Sequence, residues 1–139
     1  MSIHTITGGG GLQLAVHEYG QPHGKPILLI HGFTQCHMVW SKQYHSALAD
    51  EFRLLCCDNR GHGMSAKPLG LEHYTQDELW ADDIHAIITG FALRKPILAG
   101  WSYGGSSSMI IWPNMDKMPW EASTTSTRQS FWALRKPHT

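Results

Sequence analysis

Gly100-Trp101-Ser102-Tyr103-Gly104 follows a short apolar run, Pro96-Ile97-Leu98-Ala99, and opens a segment that is compatible with a helix. A serine between two glycines at this spacing, where a strand passes into a helix, is typical of a tight turn that exposes the hydroxyl as a nucleophile. Because such matches also arise by chance, the assignment depends on the strand before the serine and the helix after it. The stretch predicts a strand–turn–helix unit with Ser102 as its candidate nucleophile.

The residues upstream of this unit alternate between apolar strands and helical segments. Two strands, Ile3 to Thr7 and Leu12 to Tyr19, flank four glycines and predict a hairpin in which glycine supplies any positive φ. The continuous apolar run Pro26–Ile30 is typical of a strand buried on both faces, and Phe52–Cys57 and Ile97–Ala99 are predicted to be the next two buried strands. This order predicts an α/β fold with a mostly parallel sheet and helices on both faces.

Two helices are expected between these strands. From Val39 to Asp50, apolar side chains fall on one helical face. Thr75 and Glu78 fit a capping box, in which a hydroxyl and a carboxylate satisfy free amides, so a second helix is expected to start there. Gly90 is a suitable terminator for it. Its buried face is formed by apolar residues at helical spacing, namely Trp80, Ile84, Ile87 and Ile88.

Composition and charge narrow the functional classes. Eleven basic and eleven acidic side chains give a formal net charge of zero, without a basic block or stripe. We therefore expect neither nucleic acid nor a membrane as a partner. Cys36, Cys56 and Cys57 are interpreted as reduced thiols, and no apolar segment has the length of a signal peptide or a membrane span. These features predict a cytoplasmic protein.

His31-Gly32-Phe33 comes directly after the predicted strand that ends at Ile30. A carbonyl under nucleophilic attack develops negative charge, which two preorganised backbone amides stabilise. Gly32 would let the chain turn, Phe33 would offer one amide, and Tyr103 would offer the other. On its own, a strand followed by His-Gly is more often a plain turn.

The segment from Asp58 to Ser65 follows the next strand and reads Asp-Asn-Arg-Gly-His-Gly-Met-Ser. Asp58 and Arg60 are placed to pair across the turn, while Gly61 and Gly63 relieve steric limits. Turn glycines need no catalytic role to explain them. We therefore expect a structural role for this segment.

These three motifs, in this order, resemble the α/β-hydrolase superfamily in its large branch of single-domain serine hydrolases. The resemblance extends from about Leu12 to Gly105. It implies a serine nucleophile at Ser102, oxyanion amides from Phe33 and Tyr103, and no cofactor or metal. It also implies supporting roles for residues that shape the site without belonging to the triad: His31, Gly32, Asp58, Arg60, Gly61, Gly63, Gly100 and Gly104.

The resemblance implies hydrolysis of a small carboxylic ester, lactone or related acyl compound through an acyl-serine. Serine at the elbow disfavours the haloalkane dehalogenase and epoxide hydrolase branches, whose nucleophile is an aspartate. Esterases, lactonases, carbon–carbon bond hydrolases and perhydrolase-like enzymes all remain open.

The sequence departs from that family after the elbow. Family members supply the triad acid and histidine from later strands, in a domain of roughly 200–250 residues or more. Here only 35 of the 139 residues follow Gly104. Asp116 and His138 occur in the expected order, but such an order arises by chance. We therefore expect both triad partners to be absent from this chain.

Three histidines upstream are placed to lie near the elbow. His31, His37 and His62 all follow predicted strands, as Ser102 does. They are interpreted as loop and turn residues rather than a replacement base. No histidine pair in the sequence has the spacing typical of a metal site.

The C-terminal residues break the strand–helix alternation. We expect residues 1–112 to form the N-terminal part of a hydrolase domain, and residues 113–139 to form an atypical, disordered tail. Pro113 should end the helix after the elbow. Without later strands, the strand leading to Ser102 would be an exposed sheet edge and would favour self-association.

Two functions from different classes follow from these residues. The first is a serine hydrolase whose chain is truncated and catalytically incomplete. The alternative is a non-catalytic derivative, truncated or frame-shifted, or a fragment that a partner completes by supplying the later strands.

Overall fold

A mixed sheet lies at the centre of the part of the chain that the structure describes. The computed structural model describes residues 1–104 and 131–133. Its six strands lie in the order β1-β2-β4-β3-β5-β6. They are β1 (Ser2–Thr7), β2 (Gln13–Gly20), β3 (Lys25–Ile30), β4 (Phe52–Cys57), β5 (Ile97–Trp101) and β6 (Phe131–Ala133). The hairpin of β1 and β2 is antiparallel, and its turn holds Gly10 and Gly11 at positive φ, as the sequence predicts.

Helical segments connect the strands. The α-helices are α1 (Ser41–Tyr44), α2 (Leu48–Glu51) and α3 (Asp77–Gly90), and short 3₁₀ turns cover Gly9–Gly11, His37–Trp40 and Leu71–His73. In the part of the chain that the structure describes, no helix has the length and apolar character needed to cross a membrane.

The central strands are parallel, and their two faces support separate cores. Leu28 of β3 lies opposite Leu55 of β4 and Leu98 of β5. These leucines pack on the α3 side, where Ile84 and Ile87 cover them. The alternate residues of the same strands pack on the opposite face, with Ile27, Leu29, Leu54 and Cys56 meeting Trp40 and Tyr44. The predicted α/β fold with helices on both faces is confirmed, since side chains alternate between faces along a strand.

The first predicted helix is wrong in detail. Instead of one helix from Val39 to Asp50, the chain forms a 3₁₀ turn followed by two short helices. Ser46 explains the break, because its hydroxyl donates to the Gln43 carbonyl and accepts the Leu48 amide. A serine side chain that bonds nearby backbone groups in this way competes with the helical pattern.

The predicted capping box is also wrong. The N-cap of α3 is Gln76, and no side chain caps the helix there. The amide of Thr75 instead donates to the carbonyl of Leu71, so Thr75 belongs to the preceding turn. Asp77 and Glu78 lie in the first turn of α3, where acidic side chains interact favourably with the helix dipole.

The strand leading to Ser102 is not an exposed edge, contrary to the sequence prediction. β6 pairs antiparallel with β5, and Ala133 lies opposite Ala99. This pairing supplies partners for backbone groups that an edge strand leaves open. The sequence predicts a disordered tail that includes Phe131–Ala133, and the structure has strand β6 at these three residues. The remainder of residues 113–139 lies outside the described residues.

A buried ion pair links the segment after β4 to α3. The Arg60 side chain is 1% exposed, and its Nε and Nη2 donate to the two carboxylate oxygens of Asp83 at 2.7 and 2.8 Å. The guanidinium also donates to the carbonyls of Gly9 and His73. The amide of Gly9 donates to Asp83 as well. The predicted pairing of Arg60 with Asp58 is therefore wrong, since Arg60 reaches across to another element.

Arg60→Leu is expected to lower the free energy of unfolding by about 3–5 kcal/mol, because it leaves the Asp83 carboxylate buried without its charged partner. The double variant Arg60→Leu/Asp83→Leu should recover much of this loss. Urea unfolding measures both.

Arg94→Leu is the matched control, because Arg94 is exposed. It should change the free energy of unfolding by no more than about 0.5 kcal/mol. Equal losses for Arg60→Leu and Arg94→Leu would show that the buried pair is not a structural anchor.

Candidate active site

Ser102 lies at the end of β5 in a strained conformation. Its φ is 53°, in the left-handed region that non-glycine residues rarely adopt. β5 ends at Trp101, the Ser102 side chain is exposed, and Tyr103 and Gly104 have helical conformation. Strain of this kind is concentrated at functional sites.

Glycine at position 104 permits close packing beneath the turn. A Cβ on Gly104 would collide with the backbone carbonyl of Ile30, the last residue of β3. Gly100 is buried in β5 and lies opposite Ile30 in the parallel register. The two glycines of the motif therefore bracket the point where Ser102 leaves the sheet, directly beside the end of β3.

The loop after β3 leaves one amide available. Within this loop, Gly32 donates its amide to the Gln35 side chain, Thr34 donates to His62, and Gln35 donates back to Gly32. Among the residues that the structure describes, the amide of Phe33 has no hydrogen-bond acceptor. The ring centroid of Phe33 lies 6.4 Å from that of Tyr103. The structure thus brings the two residues predicted to supply oxyanion amides next to each other.

His31 anchors the start of this loop. Its side chain is fully buried, Nδ1 donates to the carbonyl of Gly32 at 2.7 Å, and Nε2 accepts the amide of Asn59 at 3.0 Å. The Asn59 side chain returns a hydrogen bond to the His31 carbonyl. Burial lowers the pKa of His31 below its ordinary 6.5, although the bond to Gly32 opposes this. A neutral, fully bonded imidazole is a structural group rather than a general base.

Asp58 is the centre of a second buried network. Its carboxylate has no solvent exposure and accepts hydrogen bonds from the His17 ring at 2.9 Å, the His37 ring at 3.0 Å, and the amides of His37 and Met64. Burial alone would raise the pKa of Asp58, but the Met64 and His37 amides and the two rings outweigh it. The pKa therefore lies below its ordinary 3.8.

His17 and His37 form a group that the sequence did not reveal. Their rings stack with centroids 3.4 Å apart and an interplanar angle of 13°. Together with Asp58 they offer three potential metal-ligating atoms within 4.8 Å of one another. The ring nitrogens that face the carboxylate must carry protons to donate to it, and a single metal ion cannot lie in the planes of two stacked rings. The geometry therefore fits a hydrogen-bonded network better than a metal site.

No sequence signal joins these three residues. His17 lies in β2, His37 begins the turn after β3, and Asp58 follows β4. Only the pairing of β2 with β4 brings His17 near the end of β4. Spacing along the chain could therefore not predict the group.

The rest of the segment from Asp58 to Ser65 has structural contacts. Gly61 has a φ of 77°, and a Cβ there would lie 2.7 Å from the ring of Tyr74. Gly63 has a φ of 53° and packs against the Asp58 carboxylate. The Ser65 hydroxyl donates to the Asp58 carbonyl and accepts the amide of Ala15. Each contact holds the loop against the sheet.

The histidines described above do not form hydrogen bonds with Ser102. Within residues 1–104 and 131–133, no hydrogen bond joins Ser102 to a histidine. His31, His37 and His62 each bond other groups. Asp116 and His138, the two residues in the expected triad order, lie outside the described residues.

A small pocket lies on the α1 side of the sheet. Its volume is about 180 Å³, and it is lined by Val39, Trp40, Gln43 and Trp101. Pockets for small-molecule ligands usually measure about 300–1,000 Å³. This pocket is therefore too small to enclose a typical substrate by itself.

Comparison with known proteins identifies a common family. Residues 25–111 match the family described as the alpha/beta hydrolase fold. AB hydrolase superfamily protein YfhM of Bacillus subtilis (strain 168) is 35% identical over 96 residues, covering 69% of this chain and 33% of that protein. Epoxide hydrolase 1 of Caenorhabditis elegans is 32% identical over 96 residues, covering 68% of this chain and 22% of that protein.

A solved structure shows the same fold. Esterase RhEst1 from Rhodococcus sp. ECU1013 is 33% identical and has a TM-score of 0.74, covering 82% of this chain and 41% of that chain. The chain thus spans less than half the length of each of these three proteins.

Acidification is expected to destabilise the protein through Asp58. The folded pKa lies below the ordinary value, so the unfolded chain takes up the proton first. The stability that Asp58 provides is present above its ordinary pKa and is lost as the pH falls through the folded pKa. Urea unfolding between about pH 5 and pH 3 should show a steep loss in the wild type and a shallower one in Asp58→Asn.

Asp50→Asn is the control for this experiment, because Asp50 is exposed. It should keep the wild-type slope of unfolding free energy against pH. An Asp58→Asn slope identical to that of the wild type would contradict the role assigned to the Asp58 network.

Proposed function

Because this chain belongs to the alpha/beta hydrolase fold family, we propose that it carries the nucleophile and oxyanion half of a serine hydrolase site. The proposed substrates are small carboxylic esters, lactones or related acyl compounds. Ser102 is the nucleophile, and the amides of Phe33 and Tyr103 stabilise the oxyanion. His31, Gly32, Gly100 and Gly104 support that geometry.

The backbone conformation of Ser102 is the observation that best supports the proposal. A φ of 53° at an exposed serine costs free energy, and the close approach of Gly104 to Ile30 holds the turn in place. Such a turn directs the hydroxyl away from the sheet, as a nucleophile requires. A serine serving only as a surface residue needs no such conformation.

The oxyanion assignment is supported by the hydrogen bonds of the loop after β3. Its neighbours donate their amides within the protein, whereas the Phe33 amide has no acceptor in the described part of the chain. An unpaired donor costs little at an exposed position and is available to a developing oxyanion. The exposed ring of Phe33, at 69% exposure, leaves this position accessible to a ligand.

The proposed chemistry proceeds in two steps. The Ser102 oxygen bonds to the acyl carbon and gives its proton to a base, while the carbonyl electron pair moves onto the oxygen held by the amides. Collapse breaks the bond to the alcohol, which leaves with the proton. Water then attacks the acyl-serine in the same manner, releasing the acid and restoring the hydroxyl.

The sequence predicts that the base and its carboxylate are absent from this chain, so we propose that an active site would need them from a partner that supplies the later strands, or from residues outside the described ranges. His31, His37 and His62 all make hydrogen bonds to groups other than Ser102. In this family the acid and the histidine follow the nucleophile along the chain. The pocket beside Trp101 measures about 180 Å³, below the usual size of a ligand pocket, which agrees with a substrate site that extends beyond its four lining residues.

An ester substrate is favoured over an epoxide. Both an esterase and an epoxide hydrolase are among the similar proteins. The resemblance to the α/β-hydrolase superfamily disfavours its epoxide hydrolase branch, whose nucleophile is an aspartate, because this chain has Ser102 at the elbow. The hydroxyl of a serine forms an ester with an acyl group, and water can then hydrolyse that ester.

A fluorophosphonate probe tests the assignment of Ser102. If a base from outside the described residues, or from a partner that supplies the later strands, activates Ser102, the wild-type protein should be labelled covalently, because the probe reacts with an activated serine hydroxyl and resembles the tetrahedral intermediate. Mass spectrometry should locate the adduct on Ser102, and Ser102→Ala should abolish labelling.

Ser46→Ala is the control, since Ser46 is another exposed serine, and it should be labelled like the wild type. Labelling that survives in Ser102→Ala would refute the assignment. A wild-type protein that is never labelled would favour the non-catalytic derivative instead.

A further inference from the structure

The side chain of His62 joins two loops at the carboxyl edge of the sheet. His62 belongs to the segment after β4, and its Nε2 accepts the amide of Thr34 in the loop after β3 at 3.1 Å. Its Nδ1 bonds the carbonyl of Arg60 at 2.9 Å. The sequence predicts only that His62 is a turn residue, and the pattern from Asp58 to Ser65 does not predict a link to the loop after β3.

The partners of His62 determine its protonation pattern. A backbone amide is only a donor, so Nε2 must present a lone pair to Thr34. A backbone carbonyl is only an acceptor, so Nδ1 must carry the proton that bonds Arg60. With these two bonds formed, the proton lies on Nδ1 and the lone pair on Nε2, so both nitrogens bond the backbone and neither is available as a base for Ser102.

Thr34 is held in a conformation that it would not choose by itself. Its φ is 63°, which is a strained value for a β-branched residue. Such a conformation persists only where the surroundings enforce it. The amide of Thr34 adjoins the peptide unit of Phe33, so the bond to His62 fixes the backbone directly after the amide assigned to the oxyanion.

The ring of His62 also packs against this site. Its centroid lies 5.9 Å from the Phe33 ring and 5.1 Å from the His31 ring. His31 fixes the start of the same loop through the carbonyl of Gly32. The two histidines thus hold the backbone on either side of Phe33, one by donating to it and the other by accepting from it.

We propose that His62 is a positioning residue, whose Nε2 lone pair holds the Gly32–Thr34 backbone so that the Phe33 amide stays available to the oxyanion. The statement that the Phe33 amide serves the oxyanion rests on the proposed function. The statement that His62 holds the Gly32–Thr34 backbone depends only on the contacts of His62. His62 itself does not touch the reacting atoms in this scheme.

Two substitutions of equal length separate hydrogen bonding from packing. His62→Gln places a carbonyl oxygen where the Nε2 lone pair accepts, whereas His62→Met fills similar space without a strong acceptor. Amide hydrogen exchange of Thr34, followed by NMR, reports the bond directly. Because His62→Met loses a hydrogen bond of ordinary strength, the amide of Thr34 should exchange about fivefold faster in this variant than in the wild type. In His62→Gln, the exchange rate should be close to that of the wild type.

The ring nitrogens of His62 give an independent spectroscopic signature. In the wild-type protein, ¹⁵N NMR should show Nε2 unprotonated and Nδ1 protonated at neutral pH. His85→Met is the control, because His85 is exposed on α3, and it should leave the exchange of Thr34 unchanged.

The rate at which the fluorophosphonate labels Ser102 tests whether the backbone held by His62 matters for the proposed reaction. His62→Met should react with the fluorophosphonate about fivefold more slowly than the wild type, and His62→Gln should restore the rate. Unchanged Thr34 exchange in His62→Met, or equal effects of Gln and Met, would overturn the positioning role. If wild-type Ser102 is never labelled, the proposed function fails, while Thr34 exchange still decides whether His62 holds the loop.

Discussion

The buried carboxylate of Asp58 is the constraint on which the candidate site depends. It has no contact with solvent, and its donors come from β2, from the turn after β3, and from the loop after β4. A buried charge is stable only when hydrogen bonds replace its hydration. Because those bonds come from separate segments, satisfying the carboxylate also fixes where the segments lie. The loop after β3, whose Phe33 ring lies 6.4 Å from that of Tyr103, is held by this network through His37.

The Arg60–Asp83 ion pair extends this framework to the helical layer. It links the loop after β4 to α3 and, through Gly9, to the turn of the hairpin. Trp80 of α3 lies over the guanidinium at 5.8 Å and contacts the Tyr103 ring at 5.3 Å. Tyr103, the residue after Ser102, is thereby packed against the same buried network. The segment from Asp58 to Ser65 builds the site without taking part in the proposed chemistry.

The sequence predicted the features that depend on local pattern. Apolar runs located the central strands, and the Gly100–Gly104 pattern located the turn that the structure shows at Ser102. It failed where distant segments decide the outcome. Arg60 pairs with Asp83 on α3 rather than with the nearby Asp58, because only the folded chain brings α3 to the loop. The stacking of His17 on His37 and the pairing of β6 with β5 are non-local for the same reason.

In the proposed site, an exposed serine and the amides of Phe33 and Tyr103 bind and stabilise a developing oxyanion. A crystal structure of the protein after reaction with a fluorophosphonate tests this most directly. We expect a phosphorus atom bonded to Ser102, with its oxygen about 2.7–3.1 Å from the backbone nitrogens of Phe33 and Tyr103. An adduct whose oxygen lies away from Phe33, bonded to other donors or to solvent, would contradict it.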